Sequence, residues 1–238
     1  MSTLFLVRHG QASSYEHGGD HLSHLGRAQA RKLGEYLVES AARFDCVVAG
    51  TMLRQQQTAS IVGEVYSEAG LAFPSTQVDE RWNEYDSQGV IGALVPVLAA
   101  ADPDFARKRA DFEAAVGTRE QNRFFQRMFE VVMAKWVANE VLAPGVEAFS
   151  SFDQRVREAR EAITTDPASR RVAVFTSGGP IGACVQAVMR APSLVAMEIN
   201  WRVRNTSITE LLYSRERISL DMFNAVPHLV DPALLSFR

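Results

Sequence analysis

The chain has 238 residues, 47% of them hydrophobic and 22% charged, a balance ordinary for a globular protein and long enough for one sizeable core with at most an inserted subdomain. A formal net charge of −3 gives no electrostatic case for nucleic acid or an anionic membrane surface, so any basic site must be local. No stretch approaches the apolar length of a membrane span, and the chain opens on a strand rather than a basic segment ahead of an apolar run, which sets the expectation of a cytoplasmic protein.

Leu4, Phe5, Leu6 and Val7 form a short continuous apolar run, the pattern of a strand buried on both faces of a parallel sheet. It stops abruptly at Arg8, His9 and Gly10. A cation and an imidazole at the carboxyl end of a buried strand lie where open α/β sheets bind ligands, and the glycine lets the chain turn there. The polar loop SSYEHGGDHLS follows, with His17, His21 and, just beyond, His24. With no cysteine or paired carboxylates beside them, these histidines read as a solvated loop bordering a pocket rather than a metal centre. Ser23 is the expected N-cap of a helix in which Leu25, Ala28, Leu33 and Leu37 recur at helical spacing up to about Ala42. DCVVAG reads as the second strand and LRQQQTASIVGEVYSEAG as the second helix, stopped by Gly70. Strand, helix, strand, helix implies parallel strands with right-handed crossovers. Arg54, at the opening of the second helix, would reinforce an anion site where free N–H groups and partial positive charge already gather.

Thr76 to Asp79 reads as a short strand, and ERWNEYDSQG then brings three carboxylates, Glu80, Glu84 and Asp86, which spacing alone does not rank. From Ser87 to about Phe149 the pattern turns helical, with Phe124, Met128, Val131, Val132, Lys135 and Trp136 expected on one packing face. A further helix, SSFDQRVREAREAITTD, should be capped by Ser150 or Ser151 and carry Phe152, Val156, Ala159 and Ile163 on one face. RVAVF is the next strand, running into Thr176, Ser177, Gly178 and Gly179 and the helix PIGACVQAVMR. The glycine N–H groups at that helix start face whatever lies above the sheet. NTSITELLYS and RISLDMFNAV read as a terminal hairpin, followed by a tail in which His228 is expected to pack. Cys46 and Cys184 lack disulfide or metal spacing and read as buried thiols.

The Arg8-His9-Gly10 turn after an apolar strand, echoed by LRQQQTA at Leu53 to Ala59, resembles the histidine phosphatase superfamily, the group that includes the cofactor-dependent phosphoglycerate mutases, and specifically its bacterial small-phosphatase-like members. The resemblance covers most of the chain and is thinnest between Ser87 and Phe149. It implies one domain over residues 1–238, a three-layer α/β/α sandwich with a mostly parallel sheet, an antiparallel edge from the terminal strands, and a helical insertion at about 87–149 that caps the site. His9 is the implied nucleophile, Arg8 and Arg54 the phosphate-binding cations, and Glu84 the proton donor, since NEYD at Asn83 to Asp86 matches the family's acid segment. Gly10, Gln11, Ser13, Ser177, Gly178 and Asn205 are the implied phosphate- or substrate-binding positions.

Gly50 in place of a usual serine and Gln55 in place of a usual alanine are mild departures. The informative one is Ser177, which stands where the family usually has a second histidine in a His-Gly-Gly-like turn. The implied activity is a phosphomonoesterase with a phosphohistidine intermediate, no cofactor and no metal, acting on a small phosphate ester or a phosphoprotein, with no nucleic-acid or membrane partner. Two other readings remain open: mutase-type phosphoryl transfer, which shares the intermediate, and a catalytically weak phosphate- or protein-binding member on account of Ser177.

Overall fold

The structure, a computed structural model, describes residues 2–13, 20–141, 145–165, 170–214 and 217–237. The strands are β1 (Ser2–Arg8), β2 (Cys46–Ala49), β3 (Thr76–Val78), β4 (Arg171–Thr176), β5 (Ile208–Tyr213) and β6 (Ile218–Ala225). The helices are α1 (His24–Glu39), α2 (Leu53–Glu68), α3 (Ser87–Ala101), α4 (Pro103–Ala115), α5 (Gln121–Val137), α6 (Phe149–Thr164), α7 (Gly178–Met189) and α8 (Leu194–Asn200). The sheet order is β3-β2-β4-β1-β5-β6. The pairs among β3, β2, β4 and β1 are parallel, and β5 and β6 add an antiparallel edge. This is the expected α/β sandwich. The reason is visible in β1 and β4, whose successive residues point to opposite faces: Phe5, Val7, Ala173 and Phe175 join the core built with α1 and α2, while Leu4, Leu6, Val172 and Val174 are equally buried on the other face. Strands buried on both sides belong inside such a sandwich.

The chain forms two compact units, Met1–Glu84 with Arg155–Arg238, and Tyr85–Gln154. In the second, α3, α4 and α5 pack together. Its aromatic centre is Tyr85, Trp136, Phe149 and Phe152, with Trp136 meeting Tyr85 at 4.8 Å and Phe149 at 5.2 Å between ring centroids. The indole N–H of Trp136 donates to the Glu147 carbonyl.

Several local expectations shift. Ser23 does cap α1, its side chain accepting from the Gly26 N–H, but the buried stripe is Gly26, Gln29, Ala30, Leu33, Gly34 and Leu37, with Ala28 exposed. A buried glutamine carries no apolar signal, so the stripe could not be phased from hydrophobic spacing alone. In α5 the buried face is Met128, Phe129, Val132, Met133 and Trp136, and Phe124 instead lies under the Arg127 guanidinium at 5.7 Å. Neither Ser150 nor Ser151 caps α6. The helix starts at Phe149 because Phe149 and Phe152 are both drawn into the aromatic centre. Cys184 is buried, whereas Cys46 is only half-buried, with burial pushing its thiol pKa up.

Candidate active site

The carboxyl end of β1 delivers Arg8 and His9, and the chain then turns at Gly10 against α1. The turn needs glycine, because a Cβ there would lie 2.4 Å from the Gly26 carbonyl oxygen. The loop is held from three sides. The Gly10 N–H donates to Thr58 Oγ1 at 3.1 Å, and Thr58 in turn donates to the Arg54 carbonyl at 2.7 Å. The Gln11 N–H donates to Gln29 Oε1 at 2.9 Å. The His9 carbonyl accepts from Asn205 Nδ2 at 3.1 Å and from the Thr206 N–H at 3.3 Å.

His9 is 5% exposed and its two ring nitrogens have distinct partners. Nδ1 lies 2.6 Å from the Gly10 carbonyl oxygen, so it carries the proton. Nε2 accepts from Arg54 Nε at 3.1 Å, so it carries the lone pair. Burial, then the Arg54 charge, then that of Arg8, hold the imidazole pKa well below its ordinary value, against the opposing Gly10 hydrogen bond. The ring is therefore neutral and of fixed tautomer near pH 7. Arg54 also pairs with Asp20 at 2.8 Å, and the second Asp20 oxygen accepts from the Leu53 N–H at the start of α2. Arg8 Nη1 donates to the Val203 carbonyl.

The end of β4 closes the other side. The Thr176 carbonyl accepts from the His9 N–H at 2.9 Å. Ser177 follows as the N-cap residue of α7 without making a side-chain cap. It is fully buried, and its Oγ accepts from Gln55 Nε2 at 2.8 Å. Gly178 fits against Asn200, whose Oδ1 would lie 2.1 Å from a Cβ. The Gly179 N–H donates to Glu84 Oε2 at 3.0 Å, which brings this carboxylate to the same helix start. Of the rival carboxylates, Glu80 is exposed and Asp86 caps α3 through the Gly89 N–H.

The remaining expected binding positions are tied up within the protein. Gln11 Oε1 accepts from Ser23 Oγ at 2.8 Å. The Ser13 N–H donates to the His21 carbonyl at 2.7 Å, leaving its buried Oγ without a described partner. Asn205 is fully buried, with Oδ1 accepting from Ser236 Oγ at 2.9 Å, so it braces the His9 backbone. His17 lies outside the described residues, and His21 Nδ1 meets Gln57 Nε2 at 3.0 Å. Among the described residues no cluster of His, Cys, Asp or Glu is arranged to hold a metal ion, and no helix is long and apolar enough to cross a membrane.

The sequence reading missed Asp20 and Gln29 as parts of this arrangement, since neither carries a local signal. Gln55 and Thr58 both lie in LRQQQTA, but their bonds to Ser177 and to the Gly10 N–H are visible only in the structure. Two clefts, of about 860 Å³ between α4 and α5 and about 540 Å³ along β2, β3 and α6, contain none of His9, Arg54 or Glu84. Chemistry rather than volume marks the site.

A family model described as the histidine phosphatase superfamily (branch 1) matches residues 4–134 and 113–226. The chain belongs to the histidine phosphatase superfamily. Curated relatives match over shorter stretches. The mitochondrial serine/threonine-protein phosphatase Pgam5 of Drosophila simulans is 43% identical over 61 residues, 25% of this chain and 21% of that protein. Its Caenorhabditis elegans counterpart is 30% identical over 139 residues, 51% and 48% of the two chains. The match thus spans from about a fifth to about half of these relatives. Among solved structures, a phosphoserine phosphatase of Entamoeba histolytica in complex with phosphoserine aligns at TM-score 0.64 and 15% identity, covering 97% of this chain and all of that one. A phosphoglycerate mutase of Bacillus anthracis aligns at TM-score 0.63 and 16% identity, covering 95% and 94%. At those identities the structures share the superfamily's fold, an α/β sandwich with a mostly parallel central sheet.

Proposed function

We propose that this superfamily member is a phosphomonoesterase that carries the phosphoryl group on His9 Nε2. The observation that supports it most is the pairing of the His9 ring, with Nδ1 on the Gly10 carbonyl at 2.6 Å and Nε2 facing Arg54 at 3.1 Å. A neutral imidazole with its lone pair turned to a guanidinium is a nucleophile already placed where a phosphate would sit. On binding, the dianion replaces His9 and Asp20 as acceptors for Arg54, and Arg8 adds a second planar donor.

His9 Nε2 then attacks phosphorus. The N–P bond forms as the ester P–O bond breaks, and the Glu84 carboxyl gives its proton to the departing alkoxide. In the second step water attacks phosphorus, the Glu84 carboxylate takes a proton from it, and the N–P bond breaks to release inorganic phosphate. The arginines and the N–H groups at the start of α7 meet the charge on the equatorial oxygens. The names of the relatives point to a hydroxyl-derived ester, a small molecule or a phosphoserine- or phosphothreonine-bearing protein, as substrate. We place the chain with the small bacterial phosphatase-like members rather than the mutases, since the loop before α1 lacks the Trp-Asn pair the mutases usually show.

One observation favours a second reading, a slow phosphatase or a phosphate-binding member. Ser177, standing where relatives usually have a second histidine, is fully buried and engaged by Gln55. The test is turnover of a generic aryl phosphate in the presence of a chelator, with wild type and His9→Ala side by side. Release that survives chelation and vanishes in the variant is expected. Turnover unchanged in His9→Ala refutes the phosphohistidine reading, and no turnover by wild type across a panel of esters moves the conclusion to phosphate binding.

A further inference from the structure

Glu84 lies on a short irregular stretch between the 3-10 turn Glu80–Trp82 and α3, so neither a strand nor a helix fixes its direction. Side chains from elsewhere in the chain do. Arg155 Nη1, from α6, donates to the Arg81 carbonyl at 2.9 Å and to the Asn83 carbonyl at 2.8 Å. The Trp82 carbonyl between them accepts from Thr176 Oγ1 at 2.6 Å and from Gln55 Nε2 at 3.2 Å. Asn83 is itself tied to Thr51, accepting from its N–H at 2.8 Å and donating to its hydroxyl at 2.6 Å. Three consecutive carbonyls are thus each held by a donor, and Trp82 beneath them is fully buried. The same Thr176 accepts the His9 N–H through its carbonyl, so one residue at the end of β4 references both the nucleophile and the acid-bearing segment.

We propose that Arg155 and Gln55 are positioning residues for proton transfer by Glu84. Resting on the reading of Glu84 as the proton donor, the proposal adds what sets its reach. A guanidinium bridging two carbonyls of one short segment fixes the chain's exit direction at Asn83, and charge-assisted bonds hold better than neutral ones. Gln55 fixes the height of the same segment over α2 and, through Ser177, over the start of α7. A general acid contributes about 10²- to 10⁴-fold, and a misplacement of about 1 Å can cost about 10²-fold. Loss of either donor should therefore be felt where the proton matters, in the departure of a poor leaving group.

The experiment compares kcat/KM for p-nitrophenyl phosphate, whose phenolate leaves without help, with that for an alkyl phosphate such as phosphoserine. The proteins are wild type, Glu84→Gln, Arg155→Met, Arg155→Lys and Gln55→Met. Glu84→Gln should lose about 100-fold on the alkyl ester and less than about tenfold on the aryl ester. Arg155→Met and Gln55→Met should lose about tenfold or more on the alkyl ester and stay within about threefold on the aryl ester. Arg155→Lys, which keeps a cationic donor, should recover part of the alkyl activity. A Glu84→Gln variant that loses both esters equally overturns the assignment of Glu84, and the positioning proposal with it. A leaving-group-selective Glu84→Gln beside Arg155→Met and Gln55→Met variants that lose both esters equally, or neither, overturns the positioning proposal alone. If Arg155→Met does not fold, the Arg155→Lys and Gln55→Met arms decide.

Discussion

The contact between Gln55 and Ser177 makes a quantitative prediction. Ser177 has no exposed surface, and its Oγ is 2.8 Å from Gln55 Nε2. Ser177→His adds roughly the four heavy atoms that Gln55→Ala would remove, into a place Gln55 already fills. Overpacking of this kind costs about 1–3 kcal/mol. Displacing a buried amide from its hydroxyl partner adds about 1 kcal/mol. The single Ser177→His variant should therefore lose about 2–4 kcal/mol, on the order of 5–15 °C in Tm for a chain of this size. In Gln55→Ala/Ser177→His the imidazole occupies the vacated space, so the double variant should be more stable than the sum of its singles by about 1–2 kcal/mol. Urea unfolding of the four proteins of the cycle measures this directly. Additivity within about 0.5 kcal/mol would refute the reasoning, because it would mean that Gln55 and Ser177 do not share one packed space. The same double variant tests the proposed consequence of Ser177. A charge-bearing donor lost from a transition state costs about 3 kcal/mol, so the double should turn over p-nitrophenyl phosphate, an ester on which loss of Gln55 is expected to cost no more than about threefold, faster than wild type. A rate at or below wild type on that ester would sink that explanation of slow catalysis.

Two further outcomes follow from protonation. Since the His9 pKa is held well below its ordinary value by burial and by the Arg54 and Arg8 charges, kcat/KM should show no acid limb near pH 6.5 once the substrate's own ionisation is allowed for. Arg54→Gln should move the limb upward, because removing a cation makes the imidazolium less costly; a wild-type limb at 6.5 would contradict this. His228, 7% exposed and bonded through Nε2 to Thr206 Oγ1 at 2.9 Å, has its pKa lowered by burial to about 4. The unfolded chain binds this proton first, so stability is full above about pH 6.5 and falls with pH down to about 4, a loss of about 3 kcal/mol. His228→Gln should flatten that acid loss in urea titrations between pH 7 and 4, and an unchanged slope would show that His228 does not carry it.

Much of the site was legible because it is local. An apolar run ending in Arg-His-Gly, a helix opening on Arg54, and a strand ending ahead of two glycines are each contained within a few residues, and their chemistry follows from strand ends and helix starts. Helix phasing was less legible where a buried polar residue such as Gln29 breaks the apolar stripe, since it is buried for its bonds to the Gln11 N–H and the Leu234 carbonyl rather than for its surface.

The sequence by itself determined the alternation of strands and helices, the strand end at Arg8 and His9 and the helix start at Arg54, because periodicity and turn chemistry act over short spans; that these positions meet was implied only by the resemblance. It also set Gly50, Gln55 and Ser177 apart as three separate expected departures. Only the tertiary structure joins them. A Cβ at Gly50 would lie 2.0 Å from Gln55 Oε1, and Gln55 reaches Ser177 across a separation of 122 residues. Arg155 reaches the Glu84 segment across 74 and 72 residues, and Asn205 reaches the His9 carbonyl across 196. Such partners depend on which strand ends the crossovers bring side by side. Once those ends are buried together, every carbonyl and amide among them must find a donor or acceptor within the protein, and that requirement, invisible in any local window, selects Gln55, Arg155 and Asn205.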